Sequence, residues 1–186
     1  MNIVAFGYKK GVGKDTAGRF LNTFLKIEAP QLLIKHVSFA AKLKEVAHQL
    51  YSWGGLKRGI FYESHRELKE VILPQLGLSP RQIWIDVGNK MREVYSNTWI
   101  NFALYGVDAD ILIITDLRFI NEAEAVLEAG GILVKINRLG LPQGTDPAEV
   151  DLDSFSDHRW DYIINNNGSL QGLNVTIEEI ARNLLK

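Results

Sequence analysis

Ile3-Val4-Ala5-Phe6-Gly7-Tyr8-Lys9-Lys10-Gly11-Val12-Gly13-Lys14-Asp15-Thr16 joins a short apolar run to a glycine-rich turn that ends in Gly-Lys and feeds a helical pattern. A turn of this composition points backbone N–H groups at a phosphate chain. The helix N-terminus behind it adds partial positive charge, and the lysine reaches the outer phosphates. Gly11, Val12, Gly13, Lys14, Asp15 and Thr16 are the candidate phosphate-binding residues. The stretch departs from the pattern G-x-x-x-x-G-K-[ST] at two positions: Tyr8 stands where the first glycine would be, one place after Gly7, and Asp15 follows the lysine with Thr16 one place late. A bulky residue is strained at positive φ, so Gly7 and Gly11 are expected to absorb the turn. A carboxylate at position 15 can hold a magnesium ion directly or through water, with Thr16 as a substitute. A chance glycine-rich turn between strand and helix is the alternative reading.

Outward from this stretch, apolar runs alternate with segments of helical period, the pattern of a parallel sheet covered by helices on both faces. Ile3 to Phe6 reads as the first strand, Ala17, Phe20, Leu21, Phe24 and Leu25 as one helical stripe, and Leu33 to Val37 as a second strand. Leu43, Val46, Ala47 and Leu50 repeat the helical spacing. The period breaks at Gly54-Gly55, and the charged stretch 63–70 predicts a solvated helix ended by Pro74. Ser79-Pro80 reads as an N-cap with proline at the first helical position, opening a helix with Ile83, Val87, Met91 and Val94 on one stripe, and Trp99 to Leu104 as a further short helix. Ile111 to Ile114 is a buried strand with Thr115-Asp116 at its carboxyl end, where open α/β sheets bind ligands. A helix carrying Ala123, Val126 and Leu127 closes at Gly130-Gly131, and the strand 132–136 follows. The stretch 139–153, with Gly140, Pro142, Gly144 and Pro147, has no period and is a candidate lid. Tyr162 to Ile164 gives the last strand, and Ile177, Ile180, Ala181 and Leu184 a closing helix.

At 186 residues the chain is the size of one domain and can bury a core without staples. A net charge of −1, from 21 basic and 22 acidic residues, argues against broad binding to polymeric nucleic acid or an anionic membrane. The absence of cysteine removes disulfide and thiol chemistry and the common zinc frameworks. No apolar run approaches the roughly 18 residues of a membrane span, and a cytoplasmic location is expected.

Asp116, ending an apolar strand, stands where phosphate-loop enzymes keep a magnesium-binding carboxylate, although a strand-end aspartate can equally cap the next helix. Arg118, two residues on, can grip a phosphate or form a surface ion pair. Arg92, beside the stripe of its helix, reads as an acceptor-phosphate clamp or a snorkelling arginine. Lys44 can meet a phosphate, Trp99 can stack on a base or pack in the core, and Arg138 at a strand end can close over transferring phosphates. Asp157-His158 lacks a serine or cysteine elbow, so hydrolase triads find no support.

The stretch 6–16, with its Lys-Lys and Gly-Lys-Asp-Thr, resembles the phosphate loop of phage-type deoxynucleoside monophosphate kinases. Further similar blocks follow in order: Ser38-Phe39-Ala40 with Leu43-Lys44-Glu45, Gly88 with Arg92 and Trp99, Thr115 to Phe119 with Asn121-Glu122, Gly130-Gly131 leading to Arg138, and Ile164 to Leu170. The resemblance implies a P-loop NTPase fold of the nucleoside monophosphate kinase kind: a three-layer α/β/α domain with a mostly parallel central sheet. Residues 1–186 would form a single domain, with 54–80 as an acceptor-binding insertion. It implies phosphorylation of deoxynucleoside monophosphates with ATP and Mg2+, small-molecule nucleotides as partners, and a host cytoplasm for a phage-encoded chain. In this account Lys14, Arg118 and Arg138 are catalytic, Lys44, Arg92, Trp99 and Arg118 bind the acceptor, and Asp15, Thr16 and Asp116 organise the metal. A kinase of another small phosphorylated acceptor, such as a dephospho-coenzyme A kinase, and an ATP-holding regulatory module are the other readings. The apolar stripes could also serve a homodimer.

Overall fold

The computed structural model describes residues 1–141 and 144–186. In chain order the elements are β1 (Asn2–Gly7), α1 (Lys14–Glu28), β2 (Ile34–Val37), α2 (Phe39–Tyr51), α3 (Gly59–Ser64), α4 (Pro80–Val94), α5 (Thr98–Leu104), β3 (Ile111–Leu117), α6 (Ile120–Glu128), β4 (Ile132–Asn137), α7 (Pro147–Val150), β5 (Tyr162–Asn165) and α8 (Leu170–Leu184). They fall into two compact units, residues 1–37 with 106–186, and residues 38–105.

The first unit is a five-stranded sheet in the order β2-β3-β1-β4-β5, every pairing parallel. Alternation along the strands sends successive side chains to opposite faces. Val4 and Phe6 of β1, Ile111 and Ile113 of β3, and Val134 and Ile136 of β4 share one core with Ala17, Leu21 and Leu25 of α1 and Leu173, Ile177 and Ile180 of α8. On the other face Ala123 and Val126 of α6 are fully buried, and Val126 and Ile3 both crowd Gly131. With both faces covered, β1 and β3 read as unbroken apolar runs, as a parallel sheet requires. The sheet is parallel with β1 in the centre, flanked by β3 and β4, and helices cover both faces, the three-layer α/β/α arrangement expected from the sequence.

The second unit is helical. Leu43 and Ala47 of α2, Leu56, Tyr62 of α3, Ile83 and Trp84 of α4, and Trp99 of α5 make its core. The Tyr62 and Trp84 rings meet edge-on with centroids 5.2 Å apart. The segment 54–80 lies within this unit, where Leu56 and Tyr62 pack with α2, α4 and α5. Residues 63–70 do not form one helix. The His65 ring nitrogen lies 2.9 Å from the Phe61 carbonyl, the group that the next helical N–H would have used, and a 3-10 turn covers Arg66–Glu70 instead. The α4 stripe also ends early. Ile83, Trp84 and Gly88 are buried whereas Val94 is exposed, and the Trp99 indole meets α4 at Gly88.

Candidate phosphate-binding site

Pairing of β1 with both neighbours runs to Gly7, opposite Leu117 on one side and Lys135 on the other. A Cβ on Gly7 would stand 2.4 Å from Leu117 and 2.6 Å from Trp160, so glycine is needed there for close packing. The chain reverses one residue later. Tyr8 carries φ 97°, the one positive φ at a non-glycine among the described residues. This corrects the expectation that Gly7 takes the turn: the sheet ladder holds Gly7 extended and passes the strain on. Lys135 Nζ lies 4.4 Å and Lys9 Nζ 5.2 Å from the Tyr8 ring centre. Cation–π contacts contribute about 0.5–2 kcal/mol each, the same order as a strained backbone residue's cost of about 1–3 kcal/mol.

Gly11 and Gly13 take positive φ, 79° and 110°, and Gly13 is the residue before α1. Asn166, just past β5, donates from Nδ2 to the Val12 carbonyl at 2.9 Å, and that amide would lie 2.6 Å from a Cβ on Gly13. The turn is thus pinned from the far side of the sheet.

Lys14 is only 7% exposed, and its Nζ donates to the carbonyls of Tyr8 at 2.8 Å and Lys9. Burial, and then the Arg118 guanidinium, lower its pKa to about 7, while the carboxylates of Glu149, Asp15 and Asp116 pull it back up. A neutral amine has two N–H donors, and the loop offers two carbonyls. An unfolded lysine keeps its proton up to 10.5. Between the two values the unfolded state binds more protons, so stability should rise with pH above 7, approaching about 1.4 kcal/mol per pH unit, and be flat below it. Urea denaturation at several pH values, wild type against Lys14→Met, checks this: the rise should vanish in the variant.

Asp15 is exposed, and its Oδ1 accepts from the Thr115 hydroxyl at 2.9 Å. A Cβ on Gly18 would be 2.4 Å from the Thr115 methyl, so α1 lies close on the end of β3. Asp116 follows Thr115 at that sheet edge and is half-buried. Thr16 Oγ1 accepts from Arg19 at 3.4 Å. Among the described residues no three His, Cys, Asp or Glu side chains converge into a metal cage. The oxygen donors Asp15, Thr16 and Asp116 suit a hard cation that is held by one or two carboxylates and completes its shell with phosphate oxygens and water.

Arg118, at the end of β3, donates from Nη1 to Glu149 and to the Ala148 carbonyl. Arg138 directly follows β4, is exposed, and lines a cavity of about 320 Å³ with Tyr8, Lys9, Val12 and Leu141. The candidate lid is more ordered than its composition implies. Pro142 and Gln143 lie outside the described residues, but α7 and a 3-10 turn over Asp151–Ser154 follow. Asp146 caps α7 by accepting from the Ala148 N–H at 2.8 Å.

The other three candidates belong to the second unit. Lys44 Nζ is 3.1 Å from Glu63 and 5.4 Å from the Trp84 ring centre. Arg92, half-buried in the last turn of α4, has Nη1 3.2 Å from where a Gly88 Cβ would stand. Trp99 is 2% exposed and donates its indole N–H to the Gly88 carbonyl at 3.2 Å. It packs in the core of its unit, the bland one of the two readings its sequence position allowed. Glu149, Asn166, Thr115 and Lys135 were not singled out as site residues from the sequence. Asn166 had one usable signal, an amide side chain immediately after a strand at the ligand-binding edge.

No protein-family model matches the chain. A protein of Acanthamoeba polyphaga mimivirus named "Putative deoxynucleotide monophosphate kinase" is 28% identical over 179 residues, covering 87% of this chain and 86% of that protein. Among solved structures, shikimate kinase from Bacteroides thetaiotaomicron has a TM-score of 0.42 at 13% identity, over 99% of this chain and 98% of that one. Shikimate kinase from Acinetobacter baumannii in complex with shikimate has a TM-score of 0.43 at 15% identity, over 100% of this chain and 93% of that one.

Proposed function

We propose that the chain is a kinase that moves the γ-phosphoryl group of ATP, with Mg2+, to a deoxynucleoside monophosphate. The observation that carries this is the buried Lys14 amine at the mouth of α1, within electrostatic reach of Arg118, Asp15 and Asp116. The name of the mimivirus relative supports the acceptor class, as does the resemblance of the later blocks to phage-type kinases. An acceptor phosphate oxygen forms a bond to the γ-phosphorus while the bond to the β–γ bridging oxygen breaks, and ADP leaves. The acceptor is already anionic, so positioning and charge neutralisation carry the reaction and little general-base help is needed.

Loop N–H groups and Lys14 would hold the β- and γ-phosphates, Lys14 turning from its two carbonyls and taking up a proton. Asp15, Thr16 and Asp116 would hold Mg2+, which when bound neutralises charge on the phosphate oxygens. Arg118 would stabilise the charge that develops on the transferring group. Arg138 would approach from the end of β4, and Lys44 and Arg92 would serve the acceptor. A cytoplasmic location suits small nucleotide substrates, and among the described residues no helix is long and apolar enough to cross a membrane.

The test is a panel of nucleoside monophosphates, deoxy and ribo forms side by side, with ADP release as readout. ADP should form fast with one or more deoxynucleotides and slowly without acceptor. Equal slow hydrolysis with every acceptor and with none would point to an ATP-holding module instead.

A further inference from the structure

One side chain behaves toward the loop as a phosphate would. Glu149 Oε2 accepts from the backbone N–H of Lys10 at 2.9 Å, and Oε1 accepts from Arg118. Its side chain is 15% exposed, and its charge acts on Lys14. A loop N–H, an arginine and a nearby lysine around one carboxylate are the donors expected for an oxyanion. Asp153 adds a second contact, with Lys9 Nζ at 2.9 Å from Oδ2.

The segment that carries Glu149 is fastened unequally. Its C-terminal half is held by packing: Leu152 and Phe155 are each 4% exposed, and Phe155 meets Trp160 edge-on at 5.5 Å. Asp151 also accepts the Ile120 N–H at 2.7 Å. Around α7 the apolar anchorage is weaker, with Val150 40% exposed, and its ties to the loop and to Arg118 are polar, through the Glu149 carboxylate and the Ala148 carbonyl. Residues 144–150 can therefore swing away about a fixed anchor at 151–155, and the contacts broken are those an incoming phosphate would replace.

We propose that Glu149 is a built-in competitor for the polyphosphate site: its carboxylate occupies the donors of the loop and Arg118 until a nucleotide displaces it and frees the 144–150 segment. This rests on reading residues 7–16 as a polyphosphate site. The competition lowers affinity by the fraction of molecules in which the donors are free. It also keeps Arg118, half-buried and within electrostatic reach of Lys14, neutralised before substrate arrives.

The experiment compares ATP binding, with MgCl2, to wild type, Glu149→Gln and Lys14→Ala by calorimetry. Hydrogen exchange of the 144–155 amides is followed in wild type and in Glu149→Gln. Glu149→Gln should bind ATP about tenfold more tightly. ATP should speed exchange over 144–150 in wild type, while in the variant exchange should already be fast and change little. Equal or weaker binding by Glu149→Gln, or slower wild-type exchange with ATP, would overturn the proposal while the phosphate-loop reading stands, provided Lys14→Ala loses binding. If ATP binds none of the three, the phosphate-loop reading falls and this proposal falls with it.

Discussion

Lys14→Ala is expected to slow phosphoryl transfer by about 10³-fold or more, the scale reached when a preorganised charged donor is removed from developing negative charge. The argument starts from burial. Lys14 lies almost fully inside the loop, and its pKa of about 7 reflects an unfavourable enclosure for an ammonium group. A lysine kept there at a cost to stability is best explained by what it does for a ligand. Truncation should accordingly separate the two properties. Activity should collapse while Lys14→Met, which fills the space, keeps or raises stability at pH 7, read by urea denaturation alongside initial rates of ADP formation. A variant with intact rates would remove the lysine from the chemistry.

Gly13→Ala should have the second-largest effect, a loss of about 2–4 kcal/mol of stability together with most nucleotide binding. Two costs combine. At φ 110° any L side chain is strained, and the new Cβ would meet the Asn166 amide at 2.6 Å, the group that holds the Val12 carbonyl. Asn166→Ala separates them: it removes the clamp without the backbone strain, so it should cost about 1 kcal/mol, an ordinary hydrogen bond's contribution. Paired denaturation curves and ATP titrations of both variants check the partition. Should Gly13→Ala bind ATP as wild type does, the loop would not be the rigid cradle described.

The sheet was legible in the sequence because its strands are buried on both faces. Ile3 to Phe6 and Ile111 to Ile114 are uninterrupted apolar runs, and periodicity needs no tertiary knowledge to find them. The glycines at 11 and 13 were legible for the same local reason, since positive φ favours their residue type. Tyr8 was not. Its conformation follows from Gly7 being locked into two ladders and packed on Trp160, a contact 153 positions away in the chain. Trp99 shows a different ambiguity: the same indole suits a stacking platform or a core, and its burial depends on α2 and α4 meeting around it. The extent of the second unit was hidden because its core is assembled from α2, α4 and α5 as well as the irregular 54–80 segment. Glu149 lay in a stretch read as loop, and nothing local says that its carboxylate meets Lys10 and Arg118.

The central claim is that ATP held on this loop passes its γ-phosphoryl group to a second nucleotide. ATP labelled with 32P in the γ position, incubated with the protein, Mg2+ and each deoxynucleoside monophosphate in turn, tests it by following the label. The account predicts label in a deoxynucleoside diphosphate, formed in step with ADP and lost in Lys14→Ala. Label that appears as inorganic phosphate at the same rate with and without every acceptor would contradict it.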